Sequence, residues 1–333
     1  MTQDDGVERV GGPFFDDLHV GQVLDAAPAM TLTDGRAAQH QAIVGDRWRL
    51  ALDQHLSRRV TGGVVASPSF VTNSAVGQTT SVTQRVRANL FYRRFALLRQ
   101  PFVGDTLHTS TTVVGLRENA RREGRSPTGL VALRMRTVDQ EDRAVVDFLR
   151  CAMLPLRPGA KPTGHEDDLD AVGADHPPVD PAALVPDWDR EAYVAGRRSE
   201  APPAAGTVLE TSAGDVVSSA PELARLTLNV AAVHHDRFAG GGGRLVYGGH
   251  TIAVAASQVT RMLPDVATVL AWESCDHVGP VREGDTLTTR LTVERVAAAG
   301  PWSVVDLRAE VTADRDGPDG GRPVLDWRLS VLA

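Results

Sequence analysis

Hydrophobic and polar residues alternate along several runs of this chain in the period-two pattern typical of half-buried β-strands. Near the C-terminus, four such runs follow one another with short breaks: TVLAWESCDHV, DTLTTRLTVERV, SVVDLRAEVTAD and PVLDWRLSVLA. Residues 207–219 also alternate, and PELARLTLN after them predicts a short helix with Ser218 or Ser219 as its N-cap. The pattern therefore predicts a series of antiparallel strands.

One segment departs from this alternation. TIAVAASQVTRML (251–263) is apolar or small on all sides, which is typical of a buried helix and not of a surface helix. One strand, a central buried helix and then a run of antiparallel strands describe a sheet wrapped around a helix, which is the hotdog arrangement. We therefore predict an α+β fold of this kind.

The same order of segments occurs twice along the chain. GQVLDAAPAMTLT, GDTLHTSTTVVGL and VVDFLRCAML correspond, in that order, to GTVLETSAGDVVS, GDTLTTRLTVERV and VLDWRLSVLA. This repeat predicts a double hotdog, with one unit in residues 1–157, another in 204–333 and the two sheets joined side by side. Residues 158–203 are rich in Pro, Asp, Ala and Gly, which predicts a linker along the surface.

Composition and charge limit the kinds of molecule that we expect this protein to bind. The 333 residues are enough for two cores, and a net charge of −7 argues against binding to nucleic acid or anionic lipid. No apolar run is long enough to span a membrane, and the N-terminus lacks the pattern of a signal peptide. Cys151 and Cys275 lie in strand-like runs, so we interpret both as core residues. We expect a cytoplasmic protein that forms a homo-oligomer.

The segment NVAAVHHDRFAGGGGRLVYGGH (229–250) places an amide, an imidazole and a glycine pair ahead of the buried helix. It resembles the D-x-N-P-x-H motif of the MaoC-like family of R-specific enoyl-CoA hydratases. The stretches GPFFDDLHVGQ, FVGDTLHTSTTVVGLREN and VVDFLRCAML extend the resemblance over most of the chain, particularly to the branch of mesaconyl-CoA hydratases (β-methylmalyl-CoA dehydratases). The resemblance puts Asn229 at the aspartate position, His234 at the histidine position and Gly249 at the glycine whose N–H binds the thioester oxygen. Asp236 and Ser257 also match the family pattern.

This resemblance implies a hydro-lyase that adds or removes water across the 2,3 double bond of a short, branched, dicarboxylic acyl-CoA thioester. It implies no cofactor other than the CoA carried by the substrate. No CxxC or HExxH spacing is present, so we predict no metal site.

The chemistry of hydration explains the residue types. An imidazole is a suitable base near neutral pH, and backbone N–H groups at a helix N-terminus stabilise an enolate oxygen. Glycine at 248 and 249 would let the substrate lie directly against the backbone. Tyr247 and His250 flank this pair and either face the substrate or pack against the sheet. Arg244 either pairs with a second substrate carboxylate or is a solvated loop residue.

Asn229 departs from the family motif because a carboxamide can hold a water molecule but cannot accept its proton. Proton transfer would then depend mainly on His234. Two alternatives therefore stay open: a dehydratase of a secondary-metabolite or acyl-carrier-bound intermediate, and a catalytically silent protein that binds acyl thioesters. The glycine run 240–243 lacks a following GK[ST], so we interpret it as a flexible segment over the site.

The first unit lacks the same chemistry. Asp46 lies opposite Asn229 in the repeat, but Ala51 occupies the histidine position. The glycine pair at 62–63 is aligned with the pair at 248–249, and Pro68 lies in the helix that follows. We therefore predict one active site per chain, with the first unit shaping the acyl pocket.

Overall fold

The computed structural model describes residues 10–25, 27–174, 178–195, 201–239, 243–314, 317 and 320–333. Parts of the predicted N-terminal unit (1–9), of the linker (175–177 and 196–200) and of the glycine run (240–242) therefore lie outside the described residues. All structural statements below concern the described residues.

The strands of the first unit are short at its start and long afterwards: β1 (Val23–Leu24), β2 (Met30–Thr31), β3 (Ala88–Leu97), β4 (Thr106–Glu118), β5 (Thr128–Val138) and β6 (Ala144–Pro155). The second unit repeats this order with β7 (Val208–Glu210), β8 (Asp215–Val216), β9 (Thr268–His277), β10 (Thr286–Ala299), β11 (Trp302–Ala313) and β12 (Arg322–Leu332). The segments that repeat in the sequence therefore occupy equivalent strands.

All twelve strands belong to one antiparallel sheet. Its order is β1-β4-β5-β6-β3-β9-β12-β11-β10-β7, with β2 on β4 and β8 on β10. The two units meet where β3 pairs with β9, for example through Tyr92 opposite Cys275. The predicted double hotdog with one continuous sheet is thus confirmed.

The helices comprise α1 (Asp34–Val44), α2 (Arg49–Leu52), α3 (Gln54–Thr61), α4 (Pro68–Gln78), α5 (Arg190–Val194), α6 (Ala220–Leu226) and α7 (Gly248–Met262). The central helices α4 and α7 pack against each other, and every residue of α4 is buried. In α7 the residues from Gly249 to Thr260 are buried, as the absence of a polar stripe predicts. Ser219 is the N-cap residue of α6, although its side chain makes no capping hydrogen bond.

The structure corrects one detail of the repeat. Each central helix begins 20 residues before the long strand that follows it, so Pro68 is equivalent to Gly248. The pair Gly62–Gly63 instead follows α3, where Gly62 is the C-cap with a φ of 82°. This pair ends a helix, whereas the pair at 248–249 begins one.

Part of the segment between the units is packed against the sheet. Leu169 and Tyr193 are both 1% exposed, and the Tyr193 hydroxyl donates to the carbonyl of Asp265. Cys151 and Cys275 are buried and free. Within the described residues, no helix has the length and apolar character needed to cross a membrane.

Candidate active site

A cavity of about 380 Å³ opens at the N-terminal end of α7, between the two units. Both units line it: Thr80, Thr83, Tyr92 and Arg150 come from the first, and Asn229, His234, Tyr247, Gly248 and His277 from the second. No Asp or Glu of the described chain lines this cavity, whereas Arg87, Arg150 and Arg282 do. Its charge therefore suits an anionic ligand.

The segment that carries Asn229 and His234 is held in place by the first unit. The Val230 N–H donates to the Thr80 hydroxyl at 2.9 Å, and the Ala232 N–H donates to the carbonyl of Gln84 at 3.0 Å. Helix α4 approaches closely because Gly77 has no side chain. A Cβ there would lie 1.8 Å from the carbonyl oxygen of Thr227. The site is therefore assembled by contact between the units.

His234 is oriented by one hydrogen bond. Its Nδ1 lies 2.8 Å from the carbonyl oxygen of Leu245, which can only accept, so Nδ1 carries the proton and Nε2 is an acceptor. The side chain lines the cavity, and no described side chain bonds to Nε2. Burial lowers the pKa of His234 to about 4, against a smaller opposing effect of the Leu245 hydrogen bond. The imidazole is therefore neutral at pH 7 and able to accept a proton.

Asn229 is 2% exposed and also lines the cavity. Its Oδ1 accepts a hydrogen bond from the Ala231 N–H at 3.0 Å, which fixes the orientation of the amide. Its Nδ2 is buried and has no partner in the described chain. Because buried polar groups are normally satisfied, this donor is available for a ligand or a water molecule.

The beginning of α7 supplies further donors. The first N–H groups of a helix have no acceptor within it, and in α7 these belong to Gly248 and Gly249. The helix dipole makes this end favourable for negative charge. Gly248 lines the cavity, whereas the α-carbon of Gly249 faces Asn73 of α4.

Packing within the protein also disfavours a side chain at either glycine, and the contact of this pair with substrate stays a prediction. A Cβ at Gly248 would lie 2.7 Å from Nε2 of His277. A Cβ at Gly249 would lie 2.2 Å from Oδ1 of Asn73. A methyl group at either position would therefore displace a neighbouring side chain.

Comparisons with known proteins agree with this fold. No family profile matches the chain. A conserved hypothetical protein from Mycobacterium tuberculosis, whose solved structure has a double hotdog fold, is 54% identical in sequence to this chain. The two structures match with a TM-score of 0.89 over 98% of this chain and 99% of the other. Mesaconyl-CoA hydratase of Cereibacter sphaeroides is 28% identical over 92% of this chain and 91% of its own. The chain belongs to the MaoC-like hydratase and dehydratase family.

Other members support the same assignment. β-Methylmalyl-CoA dehydratase of Chloroflexus aurantiacus is 28% identical over 95% of this chain and 92% of its own. A solved MaoC-domain dehydratase from the same organism shares the fold, with 24% identity, a TM-score of 0.82 and coverage of 96% of this chain and 97% of that one.

Four residues predicted to act at the substrate do not line the cavity of this MaoC-like protein, and their roles stay predictions. Asp236 is exposed and caps the local turn through the Phe238 N–H. Arg244 pairs with Glu283 at 2.7 Å, so its charge is already compensated. The Ser257 hydroxyl donates to the carbonyl of Gly45 in the first unit.

The fourth of these residues, His250, is fully buried, and neither of its ring nitrogens has a partner in the described chain. Burial lowers its pKa to about 4, so its ring is neutral at pH 7. Tyr247, by contrast, does line the cavity. Its hydroxyl donates to the carbonyl of Asn73, and its ring centroid lies 5.7 Å from that of His234.

Tyr92, Arg150 and His277 are among the cavity residues that were not singled out from the sequence. Arg150 carried a signal, because it is a charged residue within the apolar run VVDFLRCAML, opposite Leu329 in the repeat. His277 lies at the end of β9 with its Nε2 buried and unpartnered, and burial lowers its pKa to about 4. The sequence carried no comparable signal for Tyr92.

Proposed function

We propose that this protein is a hydro-lyase that adds water to, or removes water from, the 2,3 double bond of a short acyl-CoA thioester. The observation that carries the proposal is the meeting of three groups at one cavity. These are the unprotonated Nε2 of His234, the unpartnered Nδ2 of Asn229 and the N-terminus of buried helix α7.

In the hydration direction, His234 Nε2 accepts a proton from a water molecule as its oxygen bonds to C3 of the substrate. The electron pair of the double bond moves toward the thioester, whose oxygen becomes an enolate. The imidazolium then returns the proton to C2. Asn229 cannot take that proton, so its amide orients the water or the thioester by donating from Nδ2.

The start of α7 stabilises the enolate. Its free N–H groups and its dipole are oriented before the reaction, so they respond to developing negative charge without reorganisation. We propose that the N–H groups of Gly248 and Gly249 perform this role. The reaction transfers protons and forms one C–O bond, so we propose that it uses no cofactor beyond the CoA of the substrate.

The substrate class is proposed from the relatives and the cavity together. The names mesaconyl-CoA hydratase and β-methylmalyl-CoA dehydratase both indicate a short, branched, dicarboxylic acyl group. A cavity of about 380 Å³ is suited to such a group. Arg87, which is exposed, and Arg282 line the cavity and would meet the phosphates of CoA. The cytoplasmic location and the homo-oligomeric state stay predictions.

A second candidate function is binding of an acyl thioester without turnover. The absence of Asp and Glu from the described cavity wall favours it, because a second proton acceptor is missing. It makes a distinct prediction: tight binding of enoyl thioesters with no change in their absorbance.

Loss or gain of the conjugated thioester absorbance with a panel of 2-enoyl-CoA substrates tests both candidates. Turnover of branched C4–C5 diacid thioesters supports the main proposal. Turnover only of acyl-carrier-bound or long-chain substrates would point to a dehydratase of another pathway. Binding without turnover across the whole panel would contradict the hydro-lyase and favour the silent binding protein.

A further inference from the structure

Arg150 lies on β6 of the first unit and is only 4% exposed, yet it lines the cavity. Its Nη2 donates to the hydroxyl of Thr83 at 2.6 Å, and the phenol of Tyr92 lies close enough to interact with the guanidinium. Its Nε is buried without a partner. Within the described chain, no carboxylate forms a salt bridge with this guanidinium.

This arrangement is costly for a protein without its ligand. An arginine keeps its positive charge even where burial lowers its pKa, as it does here. A buried charge is normally paired with an opposite charge, because its desolvation is otherwise uncompensated. The groups that hydrogen-bond to Arg150 are the hydroxyls of Thr83 and Tyr92, which satisfy single hydrogen bonds but do not neutralise the charge.

The position of Arg150 indicates which anion it receives. Arg150 lines the same cavity as His234 and is close enough to lower its pKa. A planar guanidinium with free donors matches a carboxylate in bidentate geometry. A carboxylate attached near the reacting carbons would therefore reach Arg150 while the double bond lies beside His234.

We infer that Arg150, together with Tyr92 and Thr83, binds the distal carboxylate of a dicarboxylic acyl thioester and selects it over neutral acyl groups. This inference rests on the proposed function for the placement of the thioester, and it assigns the selectivity to the first unit. That unit then supplies the specificity, and the second unit supplies the proton acceptor.

A CoA phosphate is a poorer occupant for Arg150. Exposed Arg87 is accessible from solvent, as a phosphate site requires, whereas Arg150 is enclosed. Loss of affinity for every CoA ester in an Arg150 variant would nevertheless reveal such a role.

The decisive experiment measures equilibrium binding and does not depend on turnover. Succinyl-CoA and butyryl-CoA are saturated, of equal chain length, and differ in the distal carboxylate. We expect the wild type to bind succinyl-CoA at least about tenfold more tightly, from one charge-assisted contact. Arg150→Met should remove this preference, and Arg150→Lys should restore part of it. Arg136→Met, on the exposed surface of β5, is the matched control and should leave the preference unchanged.

Each result of the binding experiment either supports or overturns the inference about Arg150. Equal affinity of the wild type for the two esters would overturn the inference without any variant. An equal loss for both esters in Arg150→Met would also overturn it and would indicate a phosphate site or a structural role. The melting temperature of ligand-free Arg150→Met should be no lower than that of the wild type, since the variant removes an uncompensated buried charge.

Turnover separates this inference from the proposed function. A preference for succinyl-CoA without hydration of any enoyl-CoA would support the carboxylate site and contradict the hydro-lyase. Hydration of enoyl-CoA substrates without any preference for diacids would support the hydro-lyase and contradict the carboxylate site. If both hold, kcat/KM for a diacid enoyl-CoA should fall about 100-fold or more in Arg150→Met. Its value for the corresponding monomethyl ester should change little.

Discussion

The two central helices begin in contrasting surroundings, although they occupy equivalent places in the repeated fold. At the start of α7, the cavity of about 380 Å³ is lined by Tyr92 and Arg150 from the other unit. Near the start of α4 lies a cavity of only about 10 Å³, and Trp272 and Trp327 line it. Trp272 stacks on Phe95 with ring centroids 4.1 Å apart.

The difference depends on few side chains. Tyr92 lies opposite Arg150 in the first unit, and in the second unit Trp272 lies opposite Leu329. The motif histidine is likewise present on one side only. At the start of α4 the buried carboxylate of Asp46 accepts a hydrogen bond from Ser67. The repeated fold thus has two helix N-termini, and aromatic side chains pack at one of them.

The contrast is tested most strongly at His234. We expect His234→Ala to lower kcat by about 10²–10⁴-fold, because general-base catalysis is lost. Asp46→Ala, beside the start of α4 in the first unit, should leave kcat nearly unchanged. The rate of enoyl-CoA hydration measures both, with exposed His55→Ala as the control. Comparable losses in the Asp46 and His234 variants would mean that both helix ends are catalytic.

The aromatic side chains packed near the start of α4 should matter for stability rather than for the rate of the reaction. Trp327 is 1% exposed and packs edge-on against Trp272 at 5.2 Å. Trp327→Ala should lower the free energy of unfolding by about 3–5 kcal/mol, as expected for a large buried aromatic residue. Denaturant titration measures this, and half-buried Trp188→Ala should cost less. A stable Trp327→Ala protein with lost activity would show that the small cavity is functional.

Asp46 provides a test through pH. Burial raises its pKa from 3.8 to about 6, against smaller opposing effects of the Ser67 and Ser69 hydroxyls. The folded state therefore binds a proton more tightly than the unfolded state. This contribution to stability is fully present below about pH 4 and is lost as pH rises through about 6. We expect an effect on the order of 1–3 kcal/mol.

Asp46→Asn should remove this part of the pH dependence of unfolding, whereas exposed Asp187→Asn should retain it. Parallel stability profiles for the wild type and Asp46→Asn would contradict the assignment of the shift to Asp46.

We expect a smaller loss of rate at Asn229 than at His234. Asn229→Ala should reduce kcat/KM by roughly tenfold, equivalent to one hydrogen bond. Asn229→Asp should remain active but place a negative charge near His234, which favours the imidazolium and raises its pKa. His234 acts as a base only when neutral, so the acidic limb of the pH–rate profile should move to higher pH, by about 1–3 units. An unmoved limb in an active variant would show that the two side chains do not share the site.

Several features followed from the sequence because they depend on local patterns. Alternating polarity predicts the strands, uniform apolarity predicts the buried α7, and the repeated segments predict two units in one sheet. Asn229 and His234 were singled out because the segment before that helix resembles the motif of the MaoC-like family. The placement of Asp236, Arg244, His250 and Ser257 did not follow, because the motif sets their separation along the chain but not the direction of each side chain.

The sequence by itself thus determined the double hotdog fold and the segment that holds the candidate base. Only the tertiary structure decided which residues meet that base, since Tyr92 and Arg150 come from strands more than 75 positions away from it along the chain. It also decided which helix end stays open, because that depends on whether side chains of the opposite unit fill the space. The period-two pattern of hydrophobic residues indicates which face of a strand is buried. It does not indicate whether that face contacts another side chain or a ligand.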